Sequence, residues 1–347
     1  MSDKTLITPP ELQNNVNRRN RIVFIDIAKA ICIVLVVIGH YIPSNSPEWY
    51  VTLHDIIYSF HMPLFMFASG YVYIATKKDV PYGQFIVKKI RRLMVPYLTT
   101  SVIIITIKLV TQGNMSVDNP VTTSSYLRMF FMPEAGYFLW FIWALWWMFV
   151  IIPLFKTKRA RLLLFVFSFA LHYLPLPLPG TFCVAQFKNM LVFFMLGIIA
   201  FEYNGVHAFI KGFKVKRAAI IIMLFALAQY LRYENVPQEV IHVIGFLQPY
   251  LGILFIVEVS KSWELAIHGN TKSGILLIAA SSYIIYLFHT TFEGFTKAII
   301  RKLPLDSDLW YVFLPEALVV IAMGVVGPII CAKAFKRYRL TRYLFGL

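Results

Sequence analysis

The fold class is decided by the stretch Ile22-Val-Phe-Ile-Asp26-Ile-Ala-Lys29-Ala-Ile-Cys-Ile-Val-Leu-Val-Val-Ile-Gly39-His40. Its only charged side chains are those of Asp26 and Lys29, and nearly all the others are apolar. About 20 mostly apolar residues are enough for a helix to cross the hydrocarbon core of a bilayer. A bilayer offers no water to the backbone, so a single crossing segment must form a helix, whose hydrogen bonds are internal. The stretch is therefore predicted to be a membrane-spanning helix.

Similar apolar stretches recur along the whole sequence of 347 residues. Hydrophobic residues make up 59% of the chain and charged residues 14%, and a soluble domain of this length could not solvate so much apolar surface. The short alternating segments of a transmembrane barrel are not seen. We predict an all-α fold, a polytopic transmembrane helical bundle of about ten spans. The spans are expected near 22–42, 53–75, 93–111, 137–155, 162–174, 189–203, 218–232, 240–260, 273–290 and 309–332.

The net charge of +16 is distributed unevenly between the two sides of this predicted bundle. If the N-terminus is inside, the tails and the connections on that side contain 25 of the 33 basic residues. Basic residues concentrate in cytoplasmic loops, so both termini are predicted to be cytoplasmic, and no nucleic-acid partner is expected. The expected divisions are a polar cytoplasmic tail (1–20), one transmembrane domain (21–333) and a basic cytoplasmic tail (334–347). The opposite loops hold Arg128, Lys188, Lys297, Arg301 and Lys302.

One face of the first predicted helix carries polar groups at both ends. Asp26 and Lys29 are three residues apart, so they are neighbours on the helix surface and can form an ion pair. Lys29 and His40 are eleven residues apart, which places them on the same face with about 16 Å between them along the axis. Ionisable residues inside a span are costly and are therefore candidates for a functional site. Snorkelling of Lys29 to the inner interface and an interfacial position for His40 would explain the same residues without chemistry.

Two further histidines are expected at a depth similar to that of His40. His61 falls in the outer half of the second span, and His289 is expected to close the ninth span at its outer end. Imidazole is the side chain best suited to act as a general base near neutral pH. A metal site built from three histidines is the alternative, but no spacing of the His-Glu-x-x-His type supports it, and no metal is expected.

A basic cluster, Lys88-Lys-Ile-Arg91-Arg92, precedes the third predicted span on the cytoplasmic side. The preference of basic residues for the cytoplasmic side would explain this cluster by itself. The functional interpretation is a clamp for the phosphates of an anionic cofactor, because guanidinium groups bind phosphate through two hydrogen bonds at once. The two interpretations are compatible.

The fourth predicted span is unusually aromatic and contains Trp140 and Trp143. An aromatic belt at the outer membrane interface is the ordinary explanation of such a span. The alternative is a wall on which a sugar or an acyl carrier stacks.

These residues occur in an order that resembles the acyltransferase-3 family of membrane O-acyltransferases, particularly its branch of bacterial fucose 4-O-acetylases and surface-polysaccharide O-acetyltransferases. The family opens with an Asp, a basic residue and a His at the spacing of Asp26, Lys29 and His40. Many members have Arg where this chain has Lys29, which keeps the charge but lacks the bidentate fork. The match extends from about Arg21 to the last span. Four further motifs follow in the family's order: Phe60-His61-Met-Pro63-Leu-Phe-Met-Phe-Ala-Ser69-Gly70-Tyr71, Arg92-Leu-Met-Val-Pro96, Leu139-Trp140-Phe-Ile-Trp143 and Ser282-Tyr283-Ile-Ile-Tyr286-Leu-Phe-His289.

The resemblance implies transfer of an acetyl group from cytoplasmic acetyl-CoA to a hydroxyl of a cell-surface glycan or lipid-linked sugar, in the cytoplasmic membrane of a bacterium. His40 would be the general base, and transfer of a succinyl group and formation of a homodimer stay open. The other implied catalytic residues are Asp26, Lys29, His61 and His289. The implied binding residues are Lys29, Lys88, Arg91 and Arg92 for the acetyl-CoA, and Ser69, Trp140, Trp143 and Tyr286 for the acceptor.

Two other classes of function fit parts of the same sequence. A transporter or flippase for a small solute or glycan precursor would also have about ten spans and charged residues within them. Against it, the two halves show no internal repeat, and the polar residues do not gather on Gly- or Pro-broken segments at the midplane. A protein of the acyltransferase fold with a sensing role is the third class. Turnover of acetyl-CoA by the purified protein would separate these classes.

Overall fold

The computed structural model describes residues 22–44, 46–113, 117, 119–234, 236–302 and 310–347. The predicted N-terminal tail, 1–20, lies outside the described residues. All regular secondary structure in the described part of the chain is helical, as predicted. The first helices are α1 (Val23–His40), α2 (Glu48–Tyr58), α3 (His61–Ala75), α4 (Tyr82–Lys89), α5 (Val95–Thr111), α6 (Ser125–Arg128) and α7 (Trp140–Ile151). They are followed by α8 (Lys158–Tyr173), α9 (Val184–Glu202), α10 (Asn204–Lys211), α11 (Val215–Tyr233), α12 (Gln238–Ala266), α13 (Gly269–Ile300), α14 (Trp310–Phe335) and α15 (Arg339–Leu344).

Seven helical stretches of the described chain are long and apolar enough to cross a membrane. The prediction of an all-helical fold is therefore confirmed for the described residues, and the seven candidate membrane spans are fewer than the ten predicted. The expected spans near 53–75, 162–174 and 218–232 are not among the seven; α3 has 15 residues and α8 has 16. The seven stretches are Val23–His40, Tyr82–Thr111, Tyr137–Leu154, Thr181–Glu202, Gln238–Ala266, Gly269–Ile300 and Tyr311–Phe335.

The second predicted span, 53–75, is not one continuous helix. The helical conformation is interrupted between α2 and α3. Phe60 leaves the helical conformation, with φ −144° and ψ −16°, and α3 starts at the next residue. The cause is Pro63, which has no backbone N–H and whose ring would clash with the carbonyl of Ser59 in a continuous helix. Pro63 is tolerated in the first turn of α3, where that N–H would have no partner within the helix.

A proline also alters the entry to α5. Residues Ile90–Met94 form a π-helical turn between α4 and α5, and Pro96 follows at the second position of α5. A π turn widens the helix by one residue, so the proline ring fits without a clash. The turn contains Arg91 and Arg92 and joins α4 and α5 into one continuous helical stretch, Tyr82–Thr111.

Helix α13 is longer than predicted. The sequence led us to end the ninth span at 290 because charged residues follow, but the helix continues to Ile300. His289 therefore does not close the helix and lies well inside it. Lys297, which we assigned to a loop, belongs to the same helix.

Helix α1 occupies the centre of the bundle and contacts α3, α12, α13 and α14. Most of its apolar side chains are buried, including those of Ile25, Ile33 and Val37. Helix α1 is therefore covered by other helices over most of its surface. This central position places His40 beside α13.

The backbones of α3 and α9 approach each other closely at two glycines. A Cβ atom added to Gly70 would lie 1.9 Å from the backbone oxygen of Phe194, and one added to Gly197 would lie 2.1 Å from that of Phe67. Small residues allow this approach of two backbones, which is how membrane helices commonly pack. The Ser-Gly motif of the second predicted span therefore contributes a glycine to helix packing.

We expect Gly70→Ala to destabilise the protein by about 1–3 kcal/mol, because α3 and α9 would have to move apart. The matched control is Gly245→Ala in α12, where an added Cβ meets nothing within 4 Å. Replacing a helical glycine with alanine at such a position is neutral or stabilising by about 0.5–1 kcal/mol. Thermal unfolding in detergent measures both effects. Equal unfolding temperatures for the two variants would contradict the close packing.

Charged residues away from α1 form buried ion pairs at the ends of helices. Glu258 of α12 contacts Arg217 at 2.8 Å and Lys261 at 2.6 Å, and Arg161 of α8 pairs with Glu202 of α9. A buried charge is retained when it is paired and hydrogen-bonded. We therefore interpret these groups as structural.

The segment predicted as a basic tail, 334–347, is folded onto the bundle. Phe335 and Phe345 stack with ring centroids 4.1 Å apart, and Phe345 also contacts Phe288 of α13. Gly346, in the left-handed region with φ +67°, lies against Pro96. The end of the chain thus packs beside the π turn that begins α5.

Candidate active site

Two histidines from different helices meet at the end of α1. The ring centroids of His40 and His289 are 4.9 Å apart, with an angle of 56° between the planes. Phe138, just before α7, contacts both rings, at 6.0 Å from His40 and 5.2 Å from His289. His40 is half-buried, whereas His289 is fully buried. The structure thus brings together two of the three histidines that the sequence placed at similar depth.

The hydrogen bonds of His289 define its tautomer. Its Nδ1 lies 3.1 Å from the carbonyl oxygen of Ile285 and 2.9 Å from that of Tyr286. A carbonyl oxygen can only accept, so Nδ1 carries the proton and Nε2 carries a free lone pair. That Nε2 is buried and has no hydrogen-bond partner among the described residues. A buried acceptor is therefore available beside the ring of His40.

The third histidine, His61, joins the pair through an aromatic ring. Tyr58 contacts His40 at 6.3 Å and His61 at 4.7 Å between centroids. His61 lies close to the break between α2 and α3, and its Nδ1 donates to the carbonyl oxygen of Ile57 at 2.9 Å. His54 of α2 stacks on the same tyrosine at 4.1 Å. Sequence reasoning did not include Tyr58, because its position depends on the helix break.

His40 and Tyr58 border a large cavity of about 1260 Å³, whereas His289 lies behind His40 and is not among the described residues that line it. His40, His61, Trp140 and Tyr286 line it, so four of the predicted site residues share one space. Tyr286 donates a hydrogen bond from its hydroxyl to the carbonyl oxygen of Phe138. A cavity of this size is large enough for a small-molecule substrate.

Glu293 is a site residue that the sequence analysis missed. It lines the cavity and is 2% exposed, and its Oε1 has no hydrogen-bond partner among the described residues. Gly324 of α14 leaves the space for it, since an added Cβ there would lie 3.1 Å from Oε1. Glu293 follows His289 by four residues and therefore lies on the same face of α13. The spacing was visible in the sequence, but it has meaning only if the helix continues past 290.

We expect Glu293→Met to stabilise the fold while it weakens activity. A buried polar group without a partner costs about 1–3 kcal/mol, and methionine is an apolar side chain of similar length. Glu239→Met, at an exposed position of α12, is the control and should change the stability little. Thermal unfolding and acyl transfer are measured on both variants. A lower unfolding temperature for Glu293→Met would show that the carboxyl has a structural partner.

The predicted pair of Asp26 and Lys29 forms near the other end of α1. The Lys29 Nζ lies 3.5 Å from a carboxylate oxygen of Asp26, and both side chains are partly exposed. Neither residue lines the cavity that contains His40. The residue predicted to bind the donor, Lys29, and the predicted base, His40, are therefore separated along α1.

The predicted phosphate-binding residues Lys88, Arg91 and Arg92 line a separate groove of about 620 Å³. The other described residues that line this groove are Gly83, Gln84 and Val87 of α4. The groove shares no described residue with the cavity, and Lys29 is not part of it. Helix α5 connects the two sites, because it begins beside the groove and its later residues line the cavity.

Like His289, the predicted residues Trp143 and Ser69 line neither of these two spaces. Trp143 is buried, with Tyr97 and Phe182 at 5.7 and 5.5 Å between ring centroids. Ser69 is half-buried on α3 beside the α3–α9 contact and lines neither space. Within the described residues, no group of three or more His, Cys, Asp or Glu side chains could hold a metal ion.

Comparisons with known proteins place this arrangement in a family. A nodulation protein NolL of Mesorhizobium japonicum is 29% identical over 188 residues, which cover 52% of this chain and 48% of that protein. A nodulation protein NolL of Sinorhizobium fredii is 31% identical over 143 residues, covering 40% of this chain and 37% of that protein. The chain thus matches at most about half the length of these relatives. No solved structure gives a significant match. The family model described as an acyltransferase domain matches residues 22–333, and the chain therefore belongs to the acyltransferase-3 family.

Proposed function

We propose that this protein is a membrane O-acetyltransferase. It moves an acetyl group from cytoplasmic acetyl-CoA to a hydroxyl of a cell-surface glycan or lipid-linked sugar. The observation that carries the proposal is that His40 lines a cavity of about 1260 Å³ and has the buried ring of His289 directly behind it. Membership of the acyltransferase family supports the class of reaction.

His40 acts as the general base in this proposal. One ring nitrogen takes the proton of the acceptor hydroxyl while the oxygen attacks the carbonyl carbon of the thioester. The carbon–sulfur bond then breaks, the thiolate of CoA leaves, and the proton passes from the imidazolium to that thiolate. General base catalysis of this kind supplies about 10²–10⁴-fold in rate. Positioning of the two substrates in the cavity supplies a further part.

His289 is a positioning residue for this base. Its Nδ1 is held by two carbonyl oxygens, so its Nε2 keeps a lone pair beside His40. An acceptor in that place favours the protonated form of His40 that arises during the reaction. His61 and Tyr58 complete the wall on the other side of His40. Tyr286 and Trp140 offer aromatic surfaces to a sugar.

The donor binds at the other end of α5. Lys88, Arg91 and Arg92 supply three positive charges in one groove, which suits the phosphates of CoA. Lys29 supplies a fourth charge on α1 and is held by Asp26. The acyl arm then extends along α1 and α5 toward His40.

The orientation follows from the same assignment. Both termini and the groove are cytoplasmic, and the cavity opens on the outer side of the cytoplasmic membrane. The distribution of basic residues supports this, with 25 of 33 on the proposed inner side. Helices α3, α8 and α11 account for the three predicted spans that are not among the seven long apolar helices. Ten crossings then return the chain to the side on which it began.

The test is acyl turnover by the purified full chain in lipid nanodiscs. Radiolabelled acetyl-CoA is supplied together with a glycan fraction from the cell surface, and the label is followed into the glycan. The proposal predicts label in an alkali-labile ester and release of free CoA in equal amounts. Transport of a solute by reconstituted protein without any turnover of acetyl-CoA would contradict it and favour a transporter.

A further inference from the structure

Three cations line the cavity on the side that leads to solvent. They are Lys297 within α13, Arg301 at its end and Lys302 after it. Only five basic residues of the whole chain were assigned to the outer loops, and these three of the five border one cavity. Glu293 is the only acid among the described residues that line it. Most of the basic residues that the sequence assigned to the outer side therefore lie at this one cavity.

The charged residues follow one another along α13 in a fixed order. Glu293, Lys297 and Arg301 come after His289 at intervals of four residues, so each is a neighbour of the one before it and lies about 6 Å further along the helix axis. His289 and Glu293 are buried, Lys297 is half-buried and Arg301 is exposed. A molecule that enters the cavity toward His40 along α13 therefore passes Arg301 and Lys297 before it reaches the carboxyl of Glu293.

Within the described residues, none of these three cations forms a salt bridge. The salt bridges of that part of the chain involve other basic groups. Lys108 of α5 also lines the cavity, but its Nζ already donates to the backbone oxygen of Asn119. Unpaired cations near a bilayer are costly unless they face a water-filled cavity or a ligand of opposite charge.

We propose that the acceptor carries a phosphoryl group, which Lys297, Arg301 and Lys302 bind while the sugar occupies the inner part of the cavity. This rests on the proposed function, because it names the class of acceptor for that site. Arg301 binds phosphate oxygens through its planar fork, and the two lysines add point charges. Glu293, with its free Oε1, accepts a hydrogen bond from a sugar hydroxyl. The phosphoryl group belongs either to a soluble sugar phosphate or to a lipid-linked sugar.

Equilibrium binding tests this without any acetyl donor. Radiolabelled fucose 1-phosphate and the neutral methyl fucoside are each titrated against the full chain in phosphatidylcholine nanodiscs, which have no net charge. The full chain is used so that the affinity includes any effect of Asp306 and Asp308, which lie outside the described residues. The variants are K297Q/R301Q/K302Q, the charge-conserving K297R/R301K/K302R, and K77Q/K78Q, which removes exposed cations from the α3–α4 connection.

We expect the wild type to bind the phosphate ester about tenfold more tightly than the neutral sugar, the effect of roughly 1.4 kcal/mol. K297Q/R301Q/K302Q should lose this ratio, and the other two variants should keep it. Equal binding of the two sugars by the wild type, or a ratio that survives K297Q/R301Q/K302Q, would overturn the proposal. Displacement of the phosphate ester by a polyprenyl diphosphate in the same nanodiscs would identify a lipid-linked acceptor, and no displacement a soluble one. Selective binding without acetyl transfer would count against the proposed function alone.

Discussion

Replacing His40 with alanine should lower acetyl transfer by about 10²–10⁴-fold while the protein stays folded in the membrane. The reason is that the proposed base is lost, whereas the ring is only half-buried and its removal leaves the helix contacts of α1 in place. The measurement is kcat for transfer from acetyl-CoA by purified protein, together with its unfolding temperature. Retained transfer at more than about a tenth of the wild-type rate would remove His40 from the mechanism.

Two comparisons separate this chemistry from a loss of structure. His268→Ala removes an exposed histidine at the start of α13, whose side chain makes no capping hydrogen bond there, and should leave kcat unchanged.

His289→Asn keeps a buried polar group beside His40 but not the same acceptor geometry. As a positioning residue, His289 should affect kcat more than KM for acetyl-CoA. An effect confined to KM would assign it to donor binding.

Replacing Arg91 and Arg92 together with glutamine should raise KM for acetyl-CoA on the order of 10–100-fold. In the proposed donor site each arginine would contribute a charged hydrogen bond to phosphate, and the solvent exposure of both side chains keeps the expected effect below that of buried pairs. The turnover number should change less, since the groove shares no described residue with the cavity of His40. Steady-state kinetics with varied acetyl-CoA measures both constants.

The matched variant is Arg91→Lys with Arg92→Lys. It keeps the positive charge that favours a cytoplasmic position for this segment, so its topology should match that of the wild type. It loses the fork that binds phosphate through two hydrogen bonds, so its KM should be intermediate. A KM equal to that of the wild type in both double variants would leave only the topological interpretation of this cluster.

Patterns within single helices were predictable from the sequence. The apolar stretch that begins at Ile22 is helix α1, and the pair of Asp26 and Lys29 forms at the spacing of three residues. Such predictions succeed because spacing along one helix fixes which side chains share a face. The clustering of Lys88, Arg91 and Arg92 in one groove follows in the same way, from adjacent turns.

Contacts between different helices could not be predicted from the sequence. The meeting of His40 with His289 depends on α1 lying against α13, and no spacing within either helix encodes that. The position of Tyr58 depends on the interruption between α2 and α3, which Pro63 causes. Glu293 was missed because charged residues were taken to end a membrane span, whereas here they line a cavity within it.

The central claim is that this chain attaches acetyl groups to a glycan and that His40 is required. The most direct measurement is mass analysis of the surface glycans of cells that lack the protein and are complemented with the wild type or with His40→Ala. We predict glycans heavier by one acetyl group per modified sugar, lost on mild alkaline treatment, only with the wild type. Acetylated glycan in the His40→Ala cells, or none in the wild-type cells, would contradict the account.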